Sequence, residues 1–389
     1  MIRVKNRRNK QISIVMGCLA LIAFVVTWSL ILDFFEQEAD SQRVLSKEEY
    51  ENAPSTFVKA YEEVTTKTGY FWSQQLLMFV VPACLFLQTE TKRYEHTLPR
   101  GMALAYTATG FLGAISLSFP LFFSHVLLLH EDEQKKKSSR TNVISSTAIV
   151  HVSLLQIVCS VIASISVVVL PATVHTDKQS YVIALIALHV VLGIPSLVEF
   201  VFSSSTVEFW FPRTLPLKNV YQIMALASCV VHFKHMASGL HEVDYDVIEL
   251  FNAGWQNTCQ RSISYDVVFT TLVCALYSYA KVGTARSFFL PLLLSPLLSV
   301  GTTFSYFLAM EEDVARVDDV KKGSGRRTSR VRKTPQRFDS SGAANVRYMR
   351  HSPGFEGYFD AEEDSKKRTK KKGRRSGGGS RGSSRSRTK

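Results

Sequence analysis

The sequence predicts an all-α fold: a polytopic membrane helix bundle of about eight transmembrane helices, followed by a disordered basic C-terminal tail. Three observations predict it. Apolar residues gather into blocks of membrane length. The blocks are continuous rather than alternating, which selects helices over barrel strands, because lipid leaves the backbone no partners outside its own segment. Charge is segregated: residues 311–389 hold 23 of the 46 Lys+Arg and 11 of the 33 Asp+Glu, net +12, whereas residues 1–310 carry only +1. The mean hydropathy of +0.06 therefore averages an apolar body and a polar tail.

The first element is a basic N-terminus, 1–11, with Arg3, Lys5, Arg7, Arg8 and Lys10. The span 12–35 behind it is longer than the apolar region of a cleaved signal peptide and reads as an uncleaved first helix. An acidic loop, 36–69, follows, with eight Asp+Glu against four Lys+Arg. Further spans are expected at 70–89, 101–129, 146–172, 180–203, 217–239, 264–282 and 286–310, so that 12–310 forms the bundle. The 101–129 span is rich in Gly, Ala and Ser, which lets helices approach closely in lipid. Pro82, Pro120, Pro195, Pro291 and Pro296 interrupt spans, and Gly193 with Pro195 predicts a kink in the fifth. The segment 241–252 places apolar residues at helical spacing among acidic ones, as a surface helix does, and Trp210 and Trp255 suit interfacial anchors.

An even number of spans puts both basic termini on one side, expected to be cytosolic, with loop 36–69 opposite. The Lys-rich loop at 130–140 then lies on the non-cytosolic side, against the positive-inside tendency. The organelle is not legible. Five cysteines lie in spans and only Cys259 in a predicted loop; none forms a C-x-x-C, so they read as small apolar residues.

Ionisable groups in lipid are costly and mark sites more often than chance placement does. Five compose the candidate intramembrane polar site: Glu199 in the fifth span, His232, Lys234 and His235 in the sixth, and Asp266 in the seventh. Lys234 and Asp266 fall toward the same side and are expected to pair; the plainer expectation is a lysine snorkelling to the headgroups. His232 and His235 share a helix face, but two histidines without a further ligand make no metal site, and no cofactor is expected. No nucleophile elbow, P-loop or dinucleotide fingerprint occurs, so no catalytic residue is assigned.

The tail, 311–389, is expected in the cytosol and cannot bury enough apolar surface to order itself. From residue 321 onward it carries 22 Lys+Arg against 6 Asp+Glu. Anionic lipid headgroups are its expected partner beside the bilayer itself, and nucleic acid fits a polytopic protein poorly. Ser329, Thr369 and Ser376 follow basic residues, and Thr334 and Ser352 precede proline, which makes them candidate phosphorylation sites. Residues 352–364, acidic with Phe355, Tyr358 and Phe359, are a candidate surface for a protein partner. Function stays open between a small-molecule or lipid carrier or channel, which the kinked spans favour, a scaffold acting through the tail, and a lipid-modifying enzyme.

Overall fold

A computed structural model describes residues 2–44, 55–65, 67–139, 151–174, 176–202 and 204–313. They belong to one unit, Met1–Val331; a second, Arg332–Lys389, lies outside the described residues, as do Ser329 and every other expectation placed on the tail beyond residue 313.

The described chain is helical apart from one short ladder. Its elements are α1 (Ile2–Gln42), α2 (Thr56–Val64), α3 (Lys67–Arg93), α4 (Met102–Leu112), α5 (Ile115–Ser139), β1 (His151–Ser153), α6 (Leu154–Thr173), α7 (Lys178–Val201), α8 (Ser204–Trp210), β2 (Arg213–Pro216), α9 (Leu217–Glu242), α10 (Val247–Asn252), α11 (Thr258–Val282), α12 (Ala285–Leu298) and a last helix, α13, over 300–313. Six of them contain stretches long and apolar enough to cross a membrane: Arg8–Gln42, Thr68–Arg93, Leu154–Thr173, Gln179–Val201, Leu217–Glu242 and Thr258–Val282. The membrane-type helix bundle is thus the fold.

Contacts between helix ends give the bundle a direction. Arg8 donates to Ala280 O at 3.0 Å, and Lys281 pairs with Glu311 at 2.6 Å. The start of α1, the finish of α11 and the finish of α13 therefore share one end, here the terminal end. Lys218 at the start of α9 pairs there with Asp313 at 2.6 Å, and Arg93 at the finish of α3 pairs with Glu312. At the opposite, capped end lie α2, α10 and the starts of α3 and α11. Lys59 of α2 pairs with Glu38 of α1, Asn257 donates to Glu63 at 3.3 Å, and Phe251 of α10 packs on Phe71 and Trp72.

Helix α3 is the hub. Its apolar stretch is 94% buried, against 22% for α1 and 39% for α6, α7 and α9, whose other faces are bare Ile, Leu and Val. An apolar face left open on an outer helix is what lipid contact requires. Aromatic rings of α3, α5, α11 and α13 interlock around Phe86, which meets Phe122, Phe123, Tyr277 and Phe304 at 5.5–5.9 Å.

Two expected spans are not single helices. The stretch 101–129 is α4 and α5, and the stretch 286–310 is α12 and α13. In each the chain doubles back. Ser118 Oγ donates to Tyr106 O, and Tyr106 packs on Phe122 at 5.2 Å, so α4 and α5 run antiparallel about Gly113–Ala114. Ser295 and Thr303 hydroxyls lie 2.7 Å apart across the turn at Ser299. Both hairpins enter from the terminal end and return to it. Neither break falls on a proline: α3, α5, α6 and α7 run unbroken through Pro82, Pro120, Pro171 and Pro195. The breaks fall where the freed backbone groups find other partners.

The hairpins expose an internal correspondence. Helices α1–α5 comprise a long helix to the capped end, a short surface helix, a long helix back, and a hairpin; α9–α13 repeat that order. The first helix of each set packs on the third of the other, α1 on α11 and α9 on α3. Phe119 and Phe304, at matching places on the returning arms, both pack on Phe79, at 5.4 and 5.3 Å. Helices α6 and α7 link the sets, and the β1–β2 ladder, with His151 opposite Pro216, ties the start of α6 to that of α9.

Smaller expectations also change. Helix α11 begins six residues before the expected span, so Cys259 is helical and buried rather than in a loop; all six cysteines are free. The expected span at 146–172 begins with strand β1, its helix starts at Leu154, and 146–150 lie outside the described residues. The acidic stretch 36–69 is helical in part, as the finish of α1 and as α2.

A polar cavity at a hairpin tip

The tip of the first hairpin stops short of the capped end. Below it, roofed by α2, lies a cavity of about 130 Å³ walled by α1, α3, α7, α11 and the tip itself. Its polar lining comes from Thr27, Tyr61, Thr65, Ser73, His189, Ser262 and Asp266.

Asp266 is the charged member. It sits eight residues into α11, about 12 Å from the helix start at 1.5 Å per residue, and is 6% exposed. Its Oδ1 accepts from the Ser116 backbone N–H at 2.7 Å. Ser116 is the second residue of α5, whose first turn leaves N–H groups without helical partners. Asp266 supplies from another helix what an N-cap side chain supplies locally, and its negative charge meets the positive end of the α5 dipole. Trp28 of α1 holds the same tip from the other side, its indole N–H donating to Gly113 O. Gly113 N–H bonds back to Thr109 O at 2.8 Å and closes α4.

Across the cavity His189 is fixed in one tautomer. Its Nδ1 lies 2.8 Å from Leu185 O, which can only accept, so Nδ1 carries the proton. Nε2 then accepts from Tyr61 O–H at 2.9 Å. Burial, reinforced by nearby Tyr181 and Asp266, pushes the Tyr61 phenol well above its ordinary range, so it stays a donor. Thr65 follows, within 3.4 Å of the Tyr181 hydroxyl. These bonds seat α2, and with it the roof, on α7.

The five expected site residues fall in three places. Asp266 lines the cavity. His232 and His235 are buried between α9 and α3: Gln74 Nε2 donates to His232 Nδ1 at 2.8 Å, and His235 packs edge-on against Tyr70 at 4.8 Å. His232 Nε2 has no hydrogen-bond partner and faces the Pro296 and Leu297 carbonyls at the finish of α12. Lys234 points outward between them, exposed, and among the described residues no ion pair joins it to Asp266. Glu199 lies at the terminal end, in the field of Lys92 and Arg213. The expected Lys234–Asp266 pair gives way because the α5 N-terminus reaches Asp266 first. No group of three or more His, Cys, Asp or Glu side chains suited to a metal occurs among the described residues.

Sequence reasoning missed Tyr61, His189, Ser116 and Trp28. Only His189 carried a signal, as a polar residue alone in an apolar span; Ser116 matters through its backbone, which no side-chain pattern reveals.

A second, apolar crevice of about 190 Å³ opens between α6 and α9 over Pro82 of α3. One of its two hydroxyls is spent internally: Ser164 Oγ donates to Ser160 O at 2.8 Å.

No curated protein and no solved structure matches the chain. Residues 220–313 match the model of a family described as "Protein of unknown function DUF2834", and that stretch coincides with α9–α13, the second of the two five-helix sets.

Proposed function

We propose that the chain is a multi-pass membrane carrier for a small polar solute, and that the solute binds in the cavity between the tip of the first hairpin and α2. The observation that supports this most is a carboxylate, Asp266, in the wall of a cavity at the tip of a broken helix. Broken helices inside a bundle place backbone dipoles and freed polar groups where a solute can meet them. The cavity is far smaller than the ~300–1,000 Å³ of drug-sized sites, which limits the solute to a few heavy atoms. Asp266 favours a cationic or zwitterionic one; His189 and Tyr61 supply hydrogen-bonding partners opposite it. The roof, α2, is a short helix held by a few polar bonds, the kind of element that opens at low cost. A scaffold acting only through the tail has no use for such a cavity. An enzyme would pair a nucleophile with a base, whereas the lining hydroxyls of Thr27, Thr65, Ser73 and Ser262 donate to backbone carbonyls.

In this reading both termini face the cytosol, so the terminal end is the cytosolic one and the cavity opens through α2 to the other side. The chain continues from Asp313 into the basic segment, which would adsorb to anionic headgroups at that face.

Binding tests the reading. Purified protein is melted with a panel of small amines, amino acids and neutral polyols, alongside a Leu76→Trp variant that fills the cavity. The carrier reading expects stabilisation by one chemical class in the wild type and none in the variant. Stabilisation by no member of the panel, or equal stabilisation of both proteins, overturns it.

A further inference from the structure

Asp266 does two things at once. It lines the cavity, and among the described residues it is the only side chain seen to accept from the buried first turn of α5. The attraction between a helix N-terminus and a side chain depends on negative charge, so one proton on Asp266 removes most of it while changing no atom's position directly. The second latch on the tip, Trp28 N–H to Gly113 O, is a single neutral hydrogen bond. The turn's own bonds, Gly113 N–H to Thr109 O, Leu117 and Ser118 N–H to Ala114 O, and Ser118 Oγ to Tyr106 O, hold the two arms to each other; the Asp266 and Trp28 contacts hold the tip to α11 and α1.

We propose that the proton is a ligand of this site: Asp266 takes it up from water in the cavity, the neutral carboxyl releases the α5 N-terminus, and the hairpin tip moves away from α1 and α11. This deepens the carrier reading and rests on it, naming the ion to which solute movement is coupled. The bookkeeping is simple. One O–H bond forms on a carboxylate oxygen, the site loses one negative charge, and no other bond changes order.

The surroundings are consistent with Asp266 as the responsive group. From α2, Tyr61 faces it and stays neutral; from α7, His189 lies across the cavity with its Nε2 engaged by Tyr61. The faces that α1, α3, α4 and α5 turn to the cavity carry no titratable side chain. His189 is the one competitor. A proton on its Nε2 would break the Tyr61 bond and loosen the roof, not the tip, so the two events have different reporters.

Trp28 reports on the tip. The chain has four tryptophans, so ¹⁵N-indole NMR of the full protein in nanodiscs gives few signals, and Trp28→Phe assigns the relevant one. Lowering the pH from about 8 to about 4, across the carboxylate and histidine ranges, should move the Trp28 N–H signal from a hydrogen-bonded position to a free one in a single titration. Asp266→Asn should hold it at the acid position at every pH. Asp266→Glu, which keeps a carboxylate, should retain the titration and guards against a variant that simply misfolds. His189→Gln should also retain it. A wild-type signal that does not move, or one that titrates unchanged in Asp266→Asn, overturns the proposal. So does loss of the titration in His189→Gln alone. No solute enters this experiment. A carrier that fails the solute panel but shows the titration, or the reverse, is recognised as such.

Discussion

The two hairpins share a plan and differ in what holds their tips. The second is held by neutral hydroxyls, most of them its own. Ser299, fully buried at φ 79°, uses its hydroxyl to accept from Thr302 N at 3.2 Å and to meet Ser228 Oγ at 2.9 Å; Thr303 closes on Ser295. Gly301 lies against the Met78 backbone, with room for no side chain. The first hairpin turns at Gly113–Ala114 with no hydroxyl of its own there. It borrows Asp266 and Trp28 from α11 and α1, and it borders a cavity, whereas Gly301 of the second packs against Ser228 and the Met78 backbone. A tip capped by neutral hydroxyls has no charge to lose. A tip capped by a charge on another helix moves whenever that charge changes. The matched family stretch, α9–α13, thus supplies the fixed hairpin and the residue that governs the other one.

The largest expected difference comes from glycine. A Cβ at Gly301 meets Ser228 Oγ at 2.6 Å and the Met78 backbone at 3.2 Å, and backbone cannot step aside. Gly301→Ala should cost about 1–3 kcal/mol by overpacking, whereas Gly110→Ala, whose Cβ meets nothing nearer than Ser118 Cβ at 3.5 Å, should be neutral or gain up to ~1 kcal/mol from helix propensity. Thermal melting of both variants in one detergent reads the contrast; equal loss would mean that the tips are packed alike.

Ser299→Ala should lower stability by about 1–2 kcal/mol, as loss of a capping hydroxyl does, and should leave the Trp28 indole signal where it is. Movement of that signal would show the hairpins to be coupled.

At the terminal end the contrast is electrostatic. Burial of Glu311 opposes its charge, but Lys281, with help from Arg93 and His130, outweighs burial and holds the carboxyl below its ordinary range. For Glu312 burial wins over Arg93, and neighbouring Glu90 and Glu311 add to it, so its carboxyl is raised. A depressed carboxyl contributes stability that is present above its unfolded pKa, about 4.3, and is lost as pH falls through the lower folded value. Lys281→Met should therefore flatten this acid limb of the melting profile and destabilise modestly at neutral pH. An acid limb unchanged in the variant would assign it to other carboxylates.

The smallest effect belongs to Lys234. It is exposed beside two buried histidines and has no acidic partner among the described residues. Lys234→Met should stay within about 0.5 kcal/mol of wild type. A large loss in folded yield would restore a structural ion pair for that lysine.

Much of this arrangement was legible and some was not, for identifiable reasons. The outer helices α1, α6 and α7 announce themselves because lipid demands long apolar runs; 180–203 lies within two residues of α7 at each end, whereas 12–35 is only the middle of the longer α1. The hairpins hide for the same reason. Their arms are as apolar as any span, and 286–310 has the length of one helix; the reversal at Ser299 depends on Ser228, seventy-one residues away, to satisfy it. Prolines misled because a helix packed on neighbours tolerates one missing donor, as α3 does at Pro82.

By itself the sequence determined the solvent. Runs of apolar residues with no room for water-bonded backbone dictate helices in lipid, a nearly neutral body and a cationic tail. It also placed Asp266 among five ionisable groups in apolar runs, where a charge is costly. Only the tertiary structure decided what Asp266 meets. Its partner is a backbone N–H on α5, left without a helical acceptor because the chain doubles back at Gly113–Ala114, and backbone groups are the same in every sequence. Which of them is left free is set by where helices end, and where these helices end is set by what packs beside them.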